Sequence, residues 1–91
     1  MKLYLVHAGF YDDNVSSGFY ESHTNYFVVA SDVKEAKAKA KAIPKKKKKK
    51  MHIDGIKEID VVDGYKISLH EHSDSIEDKD NNYSYDEVKK I

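Results

Sequence analysis

Pro44 and the six lysines that follow it, Lys45, Lys46, Lys47, Lys48, Lys49 and Lys50, divide this chain of 91 residues near its middle. Six adjacent like charges repel one another in any compact arrangement, and a proline neither donates an amide nor tolerates a helical predecessor. The tract reads as a solvated loop, so the core has to be assembled from apolar segments on both sides of it. A chain of this length buries only about 60 to 65% of its extended surface on folding. One thin core is therefore expected, and any enclosed pocket would have to form between subunits.

Before the tract, Lys2 to Ala8 is apolar enough for a first strand. A polar stretch with Gly9, Asp12, Asp13, Asn14 and Gly18 reads as a loop of roughly a dozen residues, the two glycines serving turns. His23 to Ala30 alternates as a second strand, with His23, Asn25, Phe27 and Val29 on one face and Thr24, Tyr26, Val28 and Ala30 on the other. Its C-terminal half is apolar on both faces, the pattern of a central strand. Asp32 and Glu35 have the spacing of a capping box for a helix from Val33 to about Ile43. Val33, Ala36, Ala40 and Ile43 make a narrow stripe of small and aliphatic residues that lets this helix lie close on a sheet.

After the tract, Met51 and Ile53 begin another extended segment, with a bulge or close backbone approach expected at Gly55. A hairpin from Ile56 to Leu69 follows. A two-residue turn at Asp63-Gly64 would mix Glu58 and Asp60 with Ile67 and Leu69 on one face. A three-residue loop, Val62-Asp63-Gly64, instead pairs Val61 with Tyr65 and Ile59 with Ile67 and collects an apolar face suited to a core. The outward face then pairs Asp60 with Lys66. Residues 71–82 hold one aliphatic residue and read as a solvated connector to a short helix at 85–91, with Ser84 and Glu87 as its capping box. The expected fold is α+β: one domain over residues 1–70, ordered β-β-α-β-β, with one helix on a four-stranded, mostly antiparallel sheet. Residues 71–91 form an acidic C-terminal extension.

Several short motifs, taken in order, resemble a known family. They are Glu21-Ser22-His23 before the aromatic strand, the helix ending near a proline, His52-Ile53-Asp54, and Val62-Asp63-Gly64-Tyr65. Over roughly residues 1 to 69 the chain resembles the bacterial family catalogued as domain of unknown function 1543. It departs from the family pattern in having no arginine upstream of the Glu-x-His, and in placing Ala42-Ile43 where the family has aromatic residues before the proline. The resemblance implies relatives with two copies of the domain, and it implies no activity.

The same motifs carry the chemistry. Strand residues two apart point the same way, so Glu21 and His23, and likewise His52 and Asp54, each present two ligands on one side. Two imidazoles and two carboxylates suit zinc, manganese or non-haem iron, and the same groups could serve as a general acid and base. Spacing does not show that the two segments meet; hydrogen bonding at strand ends is the plainer account. His70 and His72 form a weaker same-face pair on the outward side of the hairpin, and His7 reads as a satisfied polar group.

Composition narrows the partners. Net charge is zero, yet residues 34–50 hold ten lysines against Glu35. Lys45 to Lys50 could attract a polyanion through phosphate charge. The absence of arginine and of aromatic residues within the tract argues against specific nucleic-acid reading. No apolar run approaches the ~20 residues of a membrane span. With no cysteine there is neither a disulfide framework nor a thiolate site, and a reducing cytoplasm is the simpler compartment. Phe10, Tyr11, Phe19 and Tyr20 are too apolar for a free loop, and short strands leave edges to cover. A homodimer is the expected answer, and the alternative is that Tyr83, Tyr85 and Val88 fold back over the aromatic patch. The leading expectation is a small binding or interaction module without a required cofactor. A metal-dependent or acid/base enzyme using Glu21, His23, His52 and Asp54 is the competitor.

Overall fold

The computed structural model describes residues 1–11, 14, 16–43, 50–72 and 77–91. Pro44 and Lys45 to Lys49 lie outside the described residues, and with them the expectations of a loop and a polyanion site. The protein is α+β. Its main sheet holds β1 (Lys2–Tyr11), β2 (Ser22–Ala30) and β3 (Lys50–Ile59) in the order β2-β1-β3, antiparallel throughout. One helix, α1 (Val33–Ala42), covers one face. A two-residue ladder of β4 (Val61–Val62) with β5 (Tyr65–Lys66) stands apart from this sheet, and α2 (Tyr85–Lys89) ends the chain.

β1 occupies the centre, the place that the doubly apolar C-terminal half of β2 assigns to β2. Its even positions Tyr4, Val6, Ala8 and Phe10 are buried beneath the helix side. Register puts Val28 opposite Tyr4 and Tyr26 opposite Val6 on the same side. β2 is instead an edge strand, and its second apolar row stays open, with Phe27 67% exposed. β1 also runs on to Tyr11, so Phe10 sits in the core rather than in a loop. Beyond it, Ser16–Gly18 makes a short 3-10 turn with Gly18 at φ 71°, and the exposed Phe19 and Tyr20 rings meet edge to face.

α1 begins where its capping residues put it. The Asp32 carboxylate accepts the Glu35 amide at 2.8 Å, and the Glu35 carboxylate reaches back to the amide and hydroxyl of Ser31. Those Ser31 donors hold the Glu35 carboxyl below the ordinary glutamate value. Ala36 and Ala40 are completely buried, whereas the ends of the stripe, Val33 and Ile43, are about half exposed. Two methyl side chains bring the helix close to Tyr4, Val6, Val28 and Ala30, with Tyr26, Ile53 and Ile56 at the margin of this cluster. Lys39 fastens the helix to the edge strand by donating to the Val29 carbonyl at 2.7 Å. Buried Tyr4 turns its hydroxyl toward Glu58, 3.5 Å away; burial first, and then this carboxylate, raise its pKa.

β3 carries the bulge expected near Gly55. His7 faces Gly55 and Ala8 faces Ile53, which leaves Asp54 as the inserted residue. The insertion shifts the alternation by one, so that Ile53 and Ile56, three apart, both reach the core cluster.

Three expectations are corrected after Ile59. The main sheet has three strands rather than four, because the second hairpin strand pairs only with Val61-Val62. The hairpin turn has two residues: Val62 pairs with Tyr65, and Asp63 and Gly64 both take positive φ, 52° and 80°, as a type I′ turn requires. The three-residue register would serve to turn an apolar face toward a core. Val61, Val62 and Tyr65 meet none and are exposed, so the local preference of Asp-Gly decides. Asp60 and Lys66 do form their ion pair. The terminal helix has its capping box at Ser84 and Glu87, yet Tyr83, Tyr85 and Val88 remain exposed, and Phe19 and Tyr20 of the aromatic patch they were to cover are exposed as well.

The close helix-sheet approach predicts that Ala40→Leu costs about 1–3 kcal/mol by overpacking. Lys37→Leu, on the exposed side, should stay within about 0.5 kcal/mol. Urea unfolding measures both, and equal costs would contradict the contact.

Candidate metal centre

Among the described residues no helix lies over the face of the sheet opposite α1, and register alone assembles a cluster of polar side chains at one end. In one row, His23 of β2 and His52 of β3 both lie opposite Gly9 of β1. In the next row, His7 lies between Asn25 and Gly55. The bulged Asp54 falls between the rows, and Glu21 immediately precedes β2. A leucine-rich central strand would offer no such site; the substitution of His7 and Gly9 into the open-face positions of β1 creates it.

The geometry is close. His52 Nε2 lies 2.6 Å from Glu21 Oε1 and 3.1 Å from Asp54 Oδ1. His23 Nε2 lies 3.4 Å from the same Glu21 oxygen and 3.4 Å from Asp54 Oδ2. All four side chains are between about a third and a half exposed. Glu21-x-His23 and His52-x-Asp54, separated by the whole helix in sequence, thus meet over the central strand. His70 and His72 do not join them. β5 ends at Lys66, so no strand carries that pair, and both are exposed in coil.

Gly9 shows why the cluster fits. It is buried, and its backbone needs no left-handed conformation. What it supplies is space. A Cβ at this position would stand 2.1 Å from Glu21 Oε1, 2.7 Å from His52 Nε2 and 3.0 Å from Asp54 Oδ2. The donor atoms converge on the volume that any other residue would fill. Gly9 is therefore no turn glycine, and its role was invisible until β1 was known to be central. His7 was also undervalued: its ring stacks on His23, centroids 5.2 Å apart and planes within 3°, and its Nδ1 is 2.9 Å from the Asn25 amide oxygen. The alternation His7-x-Gly9 facing His23-x-Asn25 is the sequence signal that could have marked both.

Among the described residues, two sets of donors could hold an ion: Glu21, His52 and Asp54, and His7, His23 and Asp54, the atoms of each set lying within 4.8 Å of one another. Fold and cluster together define a small α+β protein with imidazole and carboxylate donors on a bare sheet face. A family model described as Domain of Unknown Function (DUF1543) matches residues 18–69, more than half of the chain, and the chain belongs to that family. The matched span includes Glu21, His23, His52 and Asp54. No curated protein and no solved structure matches the chain. No described helix is long and apolar enough to cross a membrane.

Because the atoms that a Gly9 methyl group would strike are the far ends of flexible side chains, Gly9→Ala should fold and keep its melting temperature within a few degrees. Its His23 and His52 imidazole resonances should nevertheless move strongly, while those of His70 and His72 stay put. Unmoved His52 resonances would show that the donors do not lie over Gly9.

Proposed function

We propose that this chain is a divalent transition-metal-binding module, its ion held over Gly9 by Glu21, His52 and Asp54, with His23 closing the donor set from the opposite strand. The observation that carries the reading is the convergence of two Nε2 atoms and two carboxylates on space that only glycine leaves open. A neutral imidazole nitrogen carries at most one proton, yet each Nε2 faces two carboxylates. Hydrogen bonds from two Nε2 atoms leave part of this acceptor set unmatched, and a divalent cation would engage all four groups at once. The spacing suits that role: bonds of ~2.1 Å in a tetrahedral shell put neighbouring donors about 3.4 Å apart. Mixed imidazole and carboxylate donors suit zinc, manganese or iron(II) better than calcium or magnesium. The exposure of the donors leaves room for water on the ion, as an open catalytic site would. A metal-dependent enzyme is thereby favoured over simple acid/base chemistry.

Protein purified without affinity-tag metals should bind zinc or manganese with an affinity that His52→Ala lowers by more than the ~10–100-fold typical of an outer-shell partner. Calorimetry and elemental analysis provide the measurement. Binding should weaken on acidification, since imidazole ligands must be deprotonated. No uptake of zinc, manganese or iron by the folded protein would end this reading.

The same face favours a homodimer, and a chain without cysteine suits a reducing cytoplasmic setting. Beyond the cluster the face presents Leu3, Leu5, Phe27, Val29 and Ile59, with Phe27 67% exposed, and a second copy laid on this apolar part would bury it. Light scattering at tens of micromolar should give about twice the 10.5 kDa of one chain, and Phe27→Lys should halve it. A mass of one chain at every concentration would exclude the dimer.

A further inference from the structure

The donor set contains more than one ion needs, and its arrangement is divided. We infer that the cluster is a binuclear centre, with Asp54 bridging two divalent ions. This rests on the metal reading of the site and extends it to a second ion and to His7, with His23 assigned to that second ion and the first keeping Glu21, His52 and Asp54.

Asp54 is the member common to both donor triads, and its two oxygens face different partners. Oδ1 is 3.1 Å from His52 Nε2, whereas Oδ2 is 3.4 Å from His23 Nε2. A carboxylate presenting one oxygen to each side is the geometry of a bridge, which spans ions ~3.5–4 Å apart in two-metal sites. The bulge explains how this carboxylate comes to lie there. As the inserted residue of β3 it has no partner on β1, and its side chain stands between the His23-Gly9-His52 row and the row of His7. The first ion takes Glu21, His52 and Asp54 Oδ1; the second takes His7, His23 and Asp54 Oδ2. Glu21 Oε1, within 3.4 Å of His23 as well as 2.6 Å of His52, stands beside both.

His7 is prepared for the role. Its Nδ1 lies 2.9 Å from the Asn25 amide oxygen. In the tautomer that donates this hydrogen bond, Nε2 keeps its lone pair, which is how outer-shell partners fix a metal-binding tautomer. Its ring stacks on His23 with nearly parallel planes, so one of the two imidazoles has to turn about its side-chain bonds before both in-plane lone pairs reach one ion.

Manganese(II) titration of the metal-free protein, followed by elemental stoichiometry and electron paramagnetic resonance, tests the inference. The wild type should bind two ions per chain and show the broadened, exchange-coupled signal of a manganese pair. His7→Ala, a change at an exposed side chain, should keep the fold by circular dichroism, bind a single ion and give the hyperfine sextet of isolated manganese. Asp54→Asn should abolish the coupling. One ion per chain in the wild type, with His7→Ala indistinguishable from it, would overturn the binuclear centre and leave the single-ion site standing. No ion bound by the wild type would remove both.

Discussion

The alternation of β1 is the constraint on which the rest depends. A central strand hydrogen-bonds on both edges, so its side chains alone decide what each face of the sheet becomes. Tyr4, Val6, Ala8 and Phe10 form the floor on which α1 lies. Leu3, Leu5, His7 and Gly9 take the other face. The first two make it apolar, and the second two make it a place where groups from both neighbours can meet. Core and candidate site are therefore two sides of one strand ten residues long. A shift of register by a single residue would exchange them and destroy both.

The bulge in β3 reconciles these demands. A regular strand that aimed His52 and Asp54 at the open face would aim Ile56 there too, and the helix-side cluster would lose a member. Inserting Asp54 lets His52 and Asp54 serve the site while Ile53 and Ile56 serve the core. Gly55 completes the device: it lies opposite His7, and nothing comes within 4 Å of where its Cβ would be. The open face next to the imidazole is thereby left clear. Glycine thus acts twice on this face, at Gly9 by making room for the donors and at Gly55 by leaving room beside them.

Local chemistry was legible in the sequence; pairing between distant segments was less so. The cap at Asp32, the small stripe of Ala36 and Ala40, the bulge near Gly55 and the box at Ser84 and Glu87 depend on neighbours a few residues away, and each is present. Glu21, His23, His52 and Asp54 could be named as pairs because period-two spacing is local as well. Whether the pairs met depended on the strand order, which spacing does not encode. The value of His7 and Gly9 depended on the same unknown. The hairpin register differs for a related reason: the three-residue loop needs a core for its apolar face, and with Val61, Val62 and Tyr65 exposed the local preference of Asp63-Gly64 for a two-residue turn prevails.

The placement of the cluster also bears on stability. Among the described residues, only two side chains larger than alanine, Tyr4 and Val6, are almost completely buried, so a core of this size leaves a small margin. A third helix-like layer over the open face would have enlarged the core, but it would have hidden the donors. An ion held by residues of β2 and β3 across β1 ties the two outer strands to the central one at the end farthest from Lys2. Ligand bound only to the folded state adds about 2.7 kcal/mol at a concentration one hundred times its dissociation constant. That is a large share of the stability expected of so thin a core. The polar end of the open face is thus more than a gap in the packing. Once occupied, it would supply cohesion that the bare face gives up by having no second layer.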